Sequence, residues 1–315
     1  MKKILLLLLV LLSIFLGYSF GFDGMNKQEE FTKPKNELLK IGLVADSHNE
    51  NELLAKALAQ AKELHVDFVI GLGDYTNLGT VEELTAAKKV FDDSGLSYFM
   101  TAGDRDGWEN RERGEVNLAN FNALFGPSTQ TFEEKGVQFV LLDNSDIYSG
   151  ISQEDWETLN SKLPSFAKAS PGEQIPNSKL KFVFAHKTPF HPDSAHIMGE
   201  DSARVADQAK RLIKLIEDKR VDGLFTGDLH FFATFFASPR IVTKATGIDV
   251  PVALHNNAQF SSKGGSASGG YSPSASVKIS TIGAVASVRN FQGPRFGVLT
   301  VFDDYSWKVG DVPIR

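Results

Sequence analysis

Hydrophobic residues along this chain fall into short apolar runs that alternate with amphipathic stretches. The run at 39–44 is almost wholly apolar, which is typical of a strand covered on both faces. Apolar residues then recur at helical spacing over 51–64, and a second apolar run follows at 66–71. Alternation of this kind predicts βαβ units with a sheet that is mainly parallel at its centre.

The same pattern continues to residue 226 and then changes. Further strands are predicted at 96–101, 137–143, 180–185 and 221–226, and further helices at 80–94, 118–125, 153–163 and 201–219. From Phe231 the pattern predicts short strands without helices, at 279–288, 297–302 and 307–309 among others. The segment 261–276 is dominated by Ser and Gly and predicts a mobile loop.

Side chains that can bind metal ions follow five of the predicted strands. They are Asp46 with His48, Asp74, Asp104 with Asp106, His186, and Asp228 with His230. An Asp after a strand is, taken alone, more often a helix N-cap than a ligand. Because a sheet brings the carboxyl ends of its parallel strands to one edge, the five together indicate a shared site. Carboxylates with imidazoles suit two divalent ions that activate water and clamp a phosphate.

Composition narrows the choice of function. The 315 residues carry a formal charge of −6, with no basic cluster, and this argues against a nucleic-acid surface. The chain contains no cysteine, which excludes disulfides and thiolate metal sites.

The amino terminus has the features of a targeting segment. Lys2 and Lys3 precede an apolar stretch at 4–16, and 19–21 offers a loose cleavage site. Residues 1–22 are therefore interpreted as a signal peptide, with an uncleaved N-terminal membrane anchor as the alternative. Residues 23–37 are predicted to be a linker and 38–315 a single domain. Either alternative places the domain outside the cytoplasm, secreted or tethered to a membrane through 4–22.

The ligand-bearing segments resemble the calcineurin-like metallophosphoesterase family. The family pattern is D-x-H, G-D-x-x-N or D, G-N-H-D or E, a lone His after a strand, and G-H-x-H. The corresponding segments here are Asp46-Ser47-His48, Gly73-Asp74-Tyr75-Thr76-Asn77, Gly103-Asp104-Arg105-Asp106, His186, and Gly227-Asp228-Leu229-His230. The resemblance covers about 39–302 and implies an α/β fold, a four-layer αββα sandwich of two mixed β-sheets flanked by helices.

The resemblance also implies a division of the ligands between two metal ions. Asp46, His48 and His230 would bind the first ion, Asp104, His186 and Asp228 the second, and Asp74 would bridge them. Asn49, Asn77 and Asp106 are expected to orient these ligands through hydrogen bonds.

Two departures from the family pattern change the charge of the site. Asp104 stands where the family has Asn, and Asp228 where it has His. Four carboxylates leave two divalent ions close to neutral overall. Carboxylate oxygen also favours Mn²⁺ or Mg²⁺, with Fe or Zn as alternatives.

The third departure is Arg105, which replaces the family's His. Arginine cannot donate a proton at useful rates, because its pKa is above about 12. It can bind a phosphate bidentately, so Arg105 is expected to bind substrate and, with Asp74, to take part in catalysis. The alternative is an exposed arginine that pairs with Asp106. His191 or His196 would then be candidates for the leaving-group proton.

These inferences lead to one expected function and one alternative. The chain is expected to be an exported binuclear metal-dependent phosphoesterase that hydrolyses small-molecule phosphomonoesters or phosphodiesters by metal-activated water. The alternative is a non-catalytic metal- or phosphate-binding relative that has lost the general acid.

Overall fold

The computed structural model describes residues 35–163, 178–237 and 277–315. Residues Glu37–Arg315 form one compact unit. The predicted signal peptide or anchor, the linker up to residue 34 and the predicted loop at 261–276 lie outside the described residues.

Strands and helices alternate through the described part of the chain much as the hydrophobic pattern predicts. The strands are β1 Glu37–Val44, β2 Phe68–Leu72, β3 Tyr98–Thr101, β4 Gln130–Glu134, β5 Val137–Leu142, β6 Leu180–Ala185, β7 Gly223–Thr226, β8 Ala233–Ala237, β9 Val277–Thr281, β10 Arg295–Phe302 and β11 Trp307–Pro313. The helices are α1 Asn51–Glu63, α2 Val81–Ser94, α3 Trp108–Glu112, α4 Ala119–Phe125, α5 Gln153–Lys162 and α6 Ala203–Asp218.

The strands form two mixed sheets. The first has the order β11-β10-β1-β2-β3 and the second β4-β5-β6-β7-β9-β8. Pairing is parallel between β1, β2 and β3, which form one side of the first sheet, and between β5, β6, β7 and β9, which form the centre of the second. Strands β10, β11, β4 and β8 pair antiparallel. The prediction of a parallel centre is confirmed for the second sheet.

One of three hydrophobic clusters lies between the two sheets. Leu39, Ile41 and Leu43 of β1 belong to the same buried cluster as Phe182 and Phe184 of β6. These residues are two apart along each strand, as expected when alternate side chains point to one face.

Helices cover the outer face of each sheet. Phe91 of α2 packs with Val44 of β1 in one outer cluster, and Leu212 of α6 packs with Val183 of β6 in the other. Two sheets with helices on both outer faces make the four-layer αββα sandwich that the resemblance implied. Among the described residues no helix is long and apolar enough to cross a membrane.

The structure corrects three local predictions. The predicted strand at 279–288 ends at Thr281, because the chain then leaves the sheet and Val285 and Ala286 donate their N–H groups to the carbonyls of Ala45 and Asp46. Strand β4 was not predicted, since its residues are only partly buried or exposed and lack an apolar run. Helix α3 was not predicted either, since it lies in a polar stretch, and it buries Asn110.

Candidate active site

The turns that follow β1 and β2 are held side by side by backbone hydrogen bonds. The N–H groups of Asp46, His48 and Asn49 donate to the carbonyls of Gly73, Asp74 and Tyr75, each at 3.0 Å. These bonds continue the parallel pairing of β1 and β2 beyond the ends of the strands. The side chains of Asp46, His48 and Asp74 therefore lie at one edge of the first sheet.

Five of the predicted ligands have a left-handed backbone conformation. The φ angles are 54° at Asp46, 44° at His48, 55° at Asp74, 67° at Asp228 and 60° at His230. Residues other than glycine seldom have positive φ, and such strain is concentrated at functional sites. The chain adopts an unfavourable local conformation at each of these turns, and the result is that the ligand side chains converge.

Two glycines let the neighbouring turns approach each other. A Cβ atom on Gly103 would lie 2.1 Å from Oδ1 of Asp74, and one on Gly73 would lie 2.4 Å from the backbone nitrogen of Gly103. Neither position can accept a larger residue without movement of the turns. The glycine before each aspartate is thus a packing requirement of the site.

The first group of donor atoms comes from Asp46, His48 and His230. Nδ1 of His230 lies 3.2 Å from the carbonyl of Val288, which can only accept, so Nδ1 carries the proton and Nε2 presents a lone pair. Nε2 of His48 lies 3.1 Å from this Nε2. Two ring nitrogens that face each other at this distance fit a cation that both can bind.

The second group comes from Asp104, His186 and Asp228. Nδ1 of His186 donates to the carbonyl of Leu72 at 2.8 Å. Nε2 of His186 and Oδ2 of Asp228 are buried and make no hydrogen bond within the part of the chain that the structure describes. Buried polar atoms without partners are costly, and a metal ion between them would satisfy both.

Asp74 lies between the two groups. Its Oδ2 is 3.8 Å from Nε2 of His48, and its Oδ1 is 3.5 Å from Nε2 of His186. Each oxygen therefore faces one group, which is the arrangement expected of a bridging carboxylate. Donor atoms bound to one ion at about 2.1 Å lie roughly 3–4 Å apart, so the donor set fits two divalent ions.

The electrostatics of the site also favour cations. Burial raises the pKa of Asp74 well above its ordinary value, and the nearby carboxylate of Asp104 adds to this. Burial alone would lower the pKa of His186, but the carboxylates of Asp74 and Asp104 raise it well above its usual range. Negative charge is thus crowded around His186, and a bound cation would relieve it.

Asp106 ties the ligand turns together. This fully buried carboxylate accepts hydrogen bonds from the backbone N–H groups of Gly103, Asp74, Tyr75 and Thr76 at 2.9–3.1 Å. The Thr76 hydroxyl donates a fifth bond at 2.9 Å. Burial raises the pKa of Asp106 to about 6, although these hydrogen bonds act in the opposite direction.

Arg105 lies at the edge of the site. The predicted pairing with Asp106 is wrong, because Asp106 is buried and accepts hydrogen bonds from backbone N–H groups and from the Thr76 hydroxyl. The side chain of Arg105 is 34% exposed, and its Nε lies 3.8 Å from Oδ2 of Asp104. Its guanidinium lies 4.8 Å from the ring centre of Trp108. The backbone N–H of Arg105 donates to Oδ1 of Asp74 at 2.8 Å, which fixes the turn beside the bridging carboxylate.

The two asparagines predicted to orient ligands differ in what they touch. Asn77 donates to the carbonyl of His48 at 3.3 Å and so contacts a ligand residue directly. Asn49 instead donates to Glu83 of α2 at 2.7 Å, which ties the turn after β1 to that helix. Its side chain bonds to the helix and not to a ligand.

The two loop histidines, His191 and His196, differ in burial and in their contacts. His191 is buried, and its Nδ1 accepts from the backbone of Asp193 and Ser194, so its role is structural. His196 is half-exposed, and its Nε2 lies 3.2 Å from Oδ1 of Asp228. Of the two, His196 is the one at the edge of the site.

Sequence reasoning missed two basic residues here. Lys187 is buried with its Nζ 2.9 Å from Oδ1 of Asp228. Arg289 lines a cleft of about 280 Å³ together with Arg105, His196 and several of the ligands. A second cavity of about 490 Å³ shares Arg105 and Arg289 with the cleft. The excess of carboxylates among the predicted ligands was the one feature of the sequence that could have predicted a buried basic residue such as Lys187. Arg289 belongs to no motif.

Comparison with known families shows which family the chain belongs to. A model of the calcineurin-like phosphoesterase family matches residues 39–232, which is more than half of the chain. The chain belongs to the calcineurin-like phosphoesterase family. The predicted family is therefore confirmed, and the activity of that family is metal-dependent hydrolysis of phosphoesters. The family is dimetal-dependent, in agreement with the two donor groups.

Solved structures agree on the fold. A purple acid phosphatase from yellow lupin (Lupinus luteus) seeds has a TM-score of 0.57 at 11% identity, over 87% of this chain and 51% of that protein. This chain thus corresponds to about half of the lupin protein's length. A dimetal phosphatase from Danio rerio has a TM-score of 0.50 at 13% identity, over 89% of this chain and 100% of that protein. Comparison with curated proteins found no match.

Proposed function

We propose that this phosphoesterase hydrolyses small-molecule phosphomonoesters or phosphodiesters with two divalent ions. The observation that carries the proposal is the buried Nε2 of His186. It has no hydrogen-bond partner among the described residues, and it faces Asp74, Asp104 and Asp228 at 3.3–3.7 Å. A buried imidazole nitrogen surrounded by carboxylates requires a positive charge, which either a proton or a metal ion would supply.

Each ligand would have a defined role. Asp46, His48 and His230 would hold one ion, Asp104, His186 and Asp228 the other, and Asp74 both. When bound, such ions polarise a phosphoryl oxygen and lower the pKa of water. Mn²⁺ or Mg²⁺ suits the four carboxylates best.

Arg105 would bind the phosphoryl group. Its partly exposed guanidinium lines the cleft, and the Trp108 ring and Asp104 restrict its movement. A fork of two N–H donors can bind two phosphate oxygens at once, and these contacts strengthen as negative charge develops. Since arginine cannot supply the leaving-group proton, esters with good leaving groups should react fastest.

The adjoining cavity would receive the leaving group. Leu78 and Val288 line it and are about half exposed, so it offers apolar surface beside the metal ligands. Arg289 lies at the boundary shared with the cleft and would favour an anionic group. The export of the domain through residues 1–22 is part of the proposal and rests on the apolar amino terminus.

The direct test is hydrolysis of para-nitrophenyl phosphate and bis(para-nitrophenyl) phosphate by the purified chain with added Mn²⁺. Activity on at least one ester that is abolished by chelation supports the proposal. If the chain binds Mn²⁺ and yet hydrolyses neither ester, the non-catalytic alternative is correct. For export, antibody detection outside the cytoplasm is expected, and a wholly cytoplasmic chain would contradict it.

A further inference from the structure

Lys187 places a positive charge inside the second group of ligands. Its Nζ lies 2.9 Å from Oδ1 of Asp228 and 3.7 Å from Oδ1 of Asp104, and only 6% of the side chain is exposed. Both carboxylates are themselves predicted metal ligands. A buried ammonium at this position must either compete with the metal ion or assist its ligands.

The distances favour competition. Lys187 contacts Oδ1 of Asp104 and Oδ1 of Asp228, and these are also the oxygens that lie 3.3 and 3.7 Å from Nε2 of His186. A second ion would therefore share these oxygens with the ammonium, whereas Oδ2 of Asp228 has no hydrogen-bond partner among the residues that the structure describes.

The backbone of Lys187 is fixed independently of its side chain. Oδ1 of Asn144 accepts from the N–H groups of His186 and Lys187, both at 3.0 Å, and Nδ2 of Asn144 donates to the carbonyl of Lys187 at 2.7 Å. The same asparagine thus positions the ligand His186 and the ammonium of Lys187. The lysine has a defined place relative to the second donor group.

The charge of Lys187 changes the net charge of the metal centre. The seven predicted ligands include four carboxylates, Asp46, Asp74, Asp104 and Asp228, whose charge of about −4 cancels two divalent ions. Such a centre has little attraction for an anionic phosphate. A buried ammonium beside it makes the assembly positive by one unit, in surroundings where solvent screens weakly.

We propose that Lys187 shares Oδ1 of Asp104 and Oδ1 of Asp228 with the second ion, lowers the affinity for that ion, and supplies the net positive charge that retains phosphate. This inference rests on the proposed function, because it requires that the cleft bind both metal and phosphate. It predicts changes of opposite sign in the affinities for the cation and for phosphate. Removal of the ammonium charge should strengthen the binding of a second cation and weaken the binding of phosphate.

The variants separate charge from hydrogen bonding. Lys187→Gln keeps an N–H donor for Asp228 without the charge, and Lys187→Arg keeps the charge. Lys181→Gln is the matched control. Lys181 is buried like Lys187, but it lies on β6 and bonds to the carbonyl of Lys219. Titration calorimetry would measure the binding of Mn²⁺ and, with Mn²⁺ present, of inorganic phosphate, and circular dichroism would verify folding.

For Lys187→Gln we expect the second Mn²⁺ to bind about tenfold or more tightly, and phosphate about tenfold or more weakly, from the loss of one charge a few ångströms away. Lys187→Arg and Lys181→Gln should remain within about threefold of the wild type for both ligands. If both affinities of Lys187→Gln fall together, or neither changes, the inference is wrong. Should Lys187→Gln fail to fold, Lys187→Arg decides: a fall in its affinity for both ligands would overturn the inference. A wild type that binds neither Mn²⁺ nor phosphate would overturn the proposed function as well.

Discussion

Asp106 is expected to be worth more to the stability of the site than any exposed carboxylate. Asp106→Ala leaves four backbone N–H groups and the Thr76 hydroxyl without their acceptor. An unsatisfied buried donor costs about 1–3 kcal/mol, and water in the vacated space can satisfy about two of the five. Loss of the buried charge, whose pKa is raised to about 6, returns about 3 kcal/mol. The net expectation is a loss of about 2–4 kcal/mol.

Urea unfolding in the presence of a chelator is the appropriate assay, because metal binding then adds nothing to the difference. Asp93→Ala is the control, since Asp93 forms an exposed ion pair with Lys89 and its removal should cost less than about 0.5 kcal/mol. A loss below about 1 kcal/mol for Asp106→Ala, or a loss equal to that of the control, would refute the view that this carboxylate holds the ligand turns together.

Three further predictions concern chemistry and pH. Asp74→Asn should abolish hydrolysis in a protein that still folds by circular dichroism, because an amide bridges two ions poorly; wild-type turnover would contradict the assignment. Arg105→Ala should lower kcat about a hundredfold, as for loss of other oxyanion donors, whereas Arg105→His should restore hydrolysis of esters with poor leaving groups; unchanged rates in both variants would place Arg105 outside catalysis. Burial raises the pKa of Asp143 to about 6, so the folded state binds this proton more tightly than the unfolded state. Stability therefore falls as pH rises from about 4 to 6, and Asp143→Asn should flatten that dependence in thermal melts by about 1–2 kcal/mol; an unchanged slope would contradict it.

Most of the fold could be predicted because its elements have clear periodicity. Strand β6, an apolar run buried along its whole length, was predicted with its observed bounds, Leu180–Ala185. Strand β4 could not be predicted, since it lies at an edge and its stability comes from pairing with β5. The end of β9 depends on a long-range contact between 285–286 and the turn after β1, which no local pattern reveals.

The ligands could be predicted for a related reason. Each one follows a recognisable strand, and parallel strands bring their ends together without further information. The residues that surround the ligands required the structure. Lys187 follows His186 directly, but only the turn after β6 directs its side chain towards Asp228. Asp106 was expected to orient ligands, yet its five hydrogen bonds to the turns were visible only in three dimensions.

Two divalent ions are expected to bind where the ligand turns after the strands meet, and anomalous diffraction from crystals grown with Mn²⁺ tests this claim most directly. Two peaks are expected, one bounded by Asp46, His48 and His230 and the other by Asp104, His186 and Asp228, with Asp74 between them. Chelator-treated crystals should show neither peak. Peaks elsewhere in the chain, or none at saturating Mn²⁺, would contradict the claim.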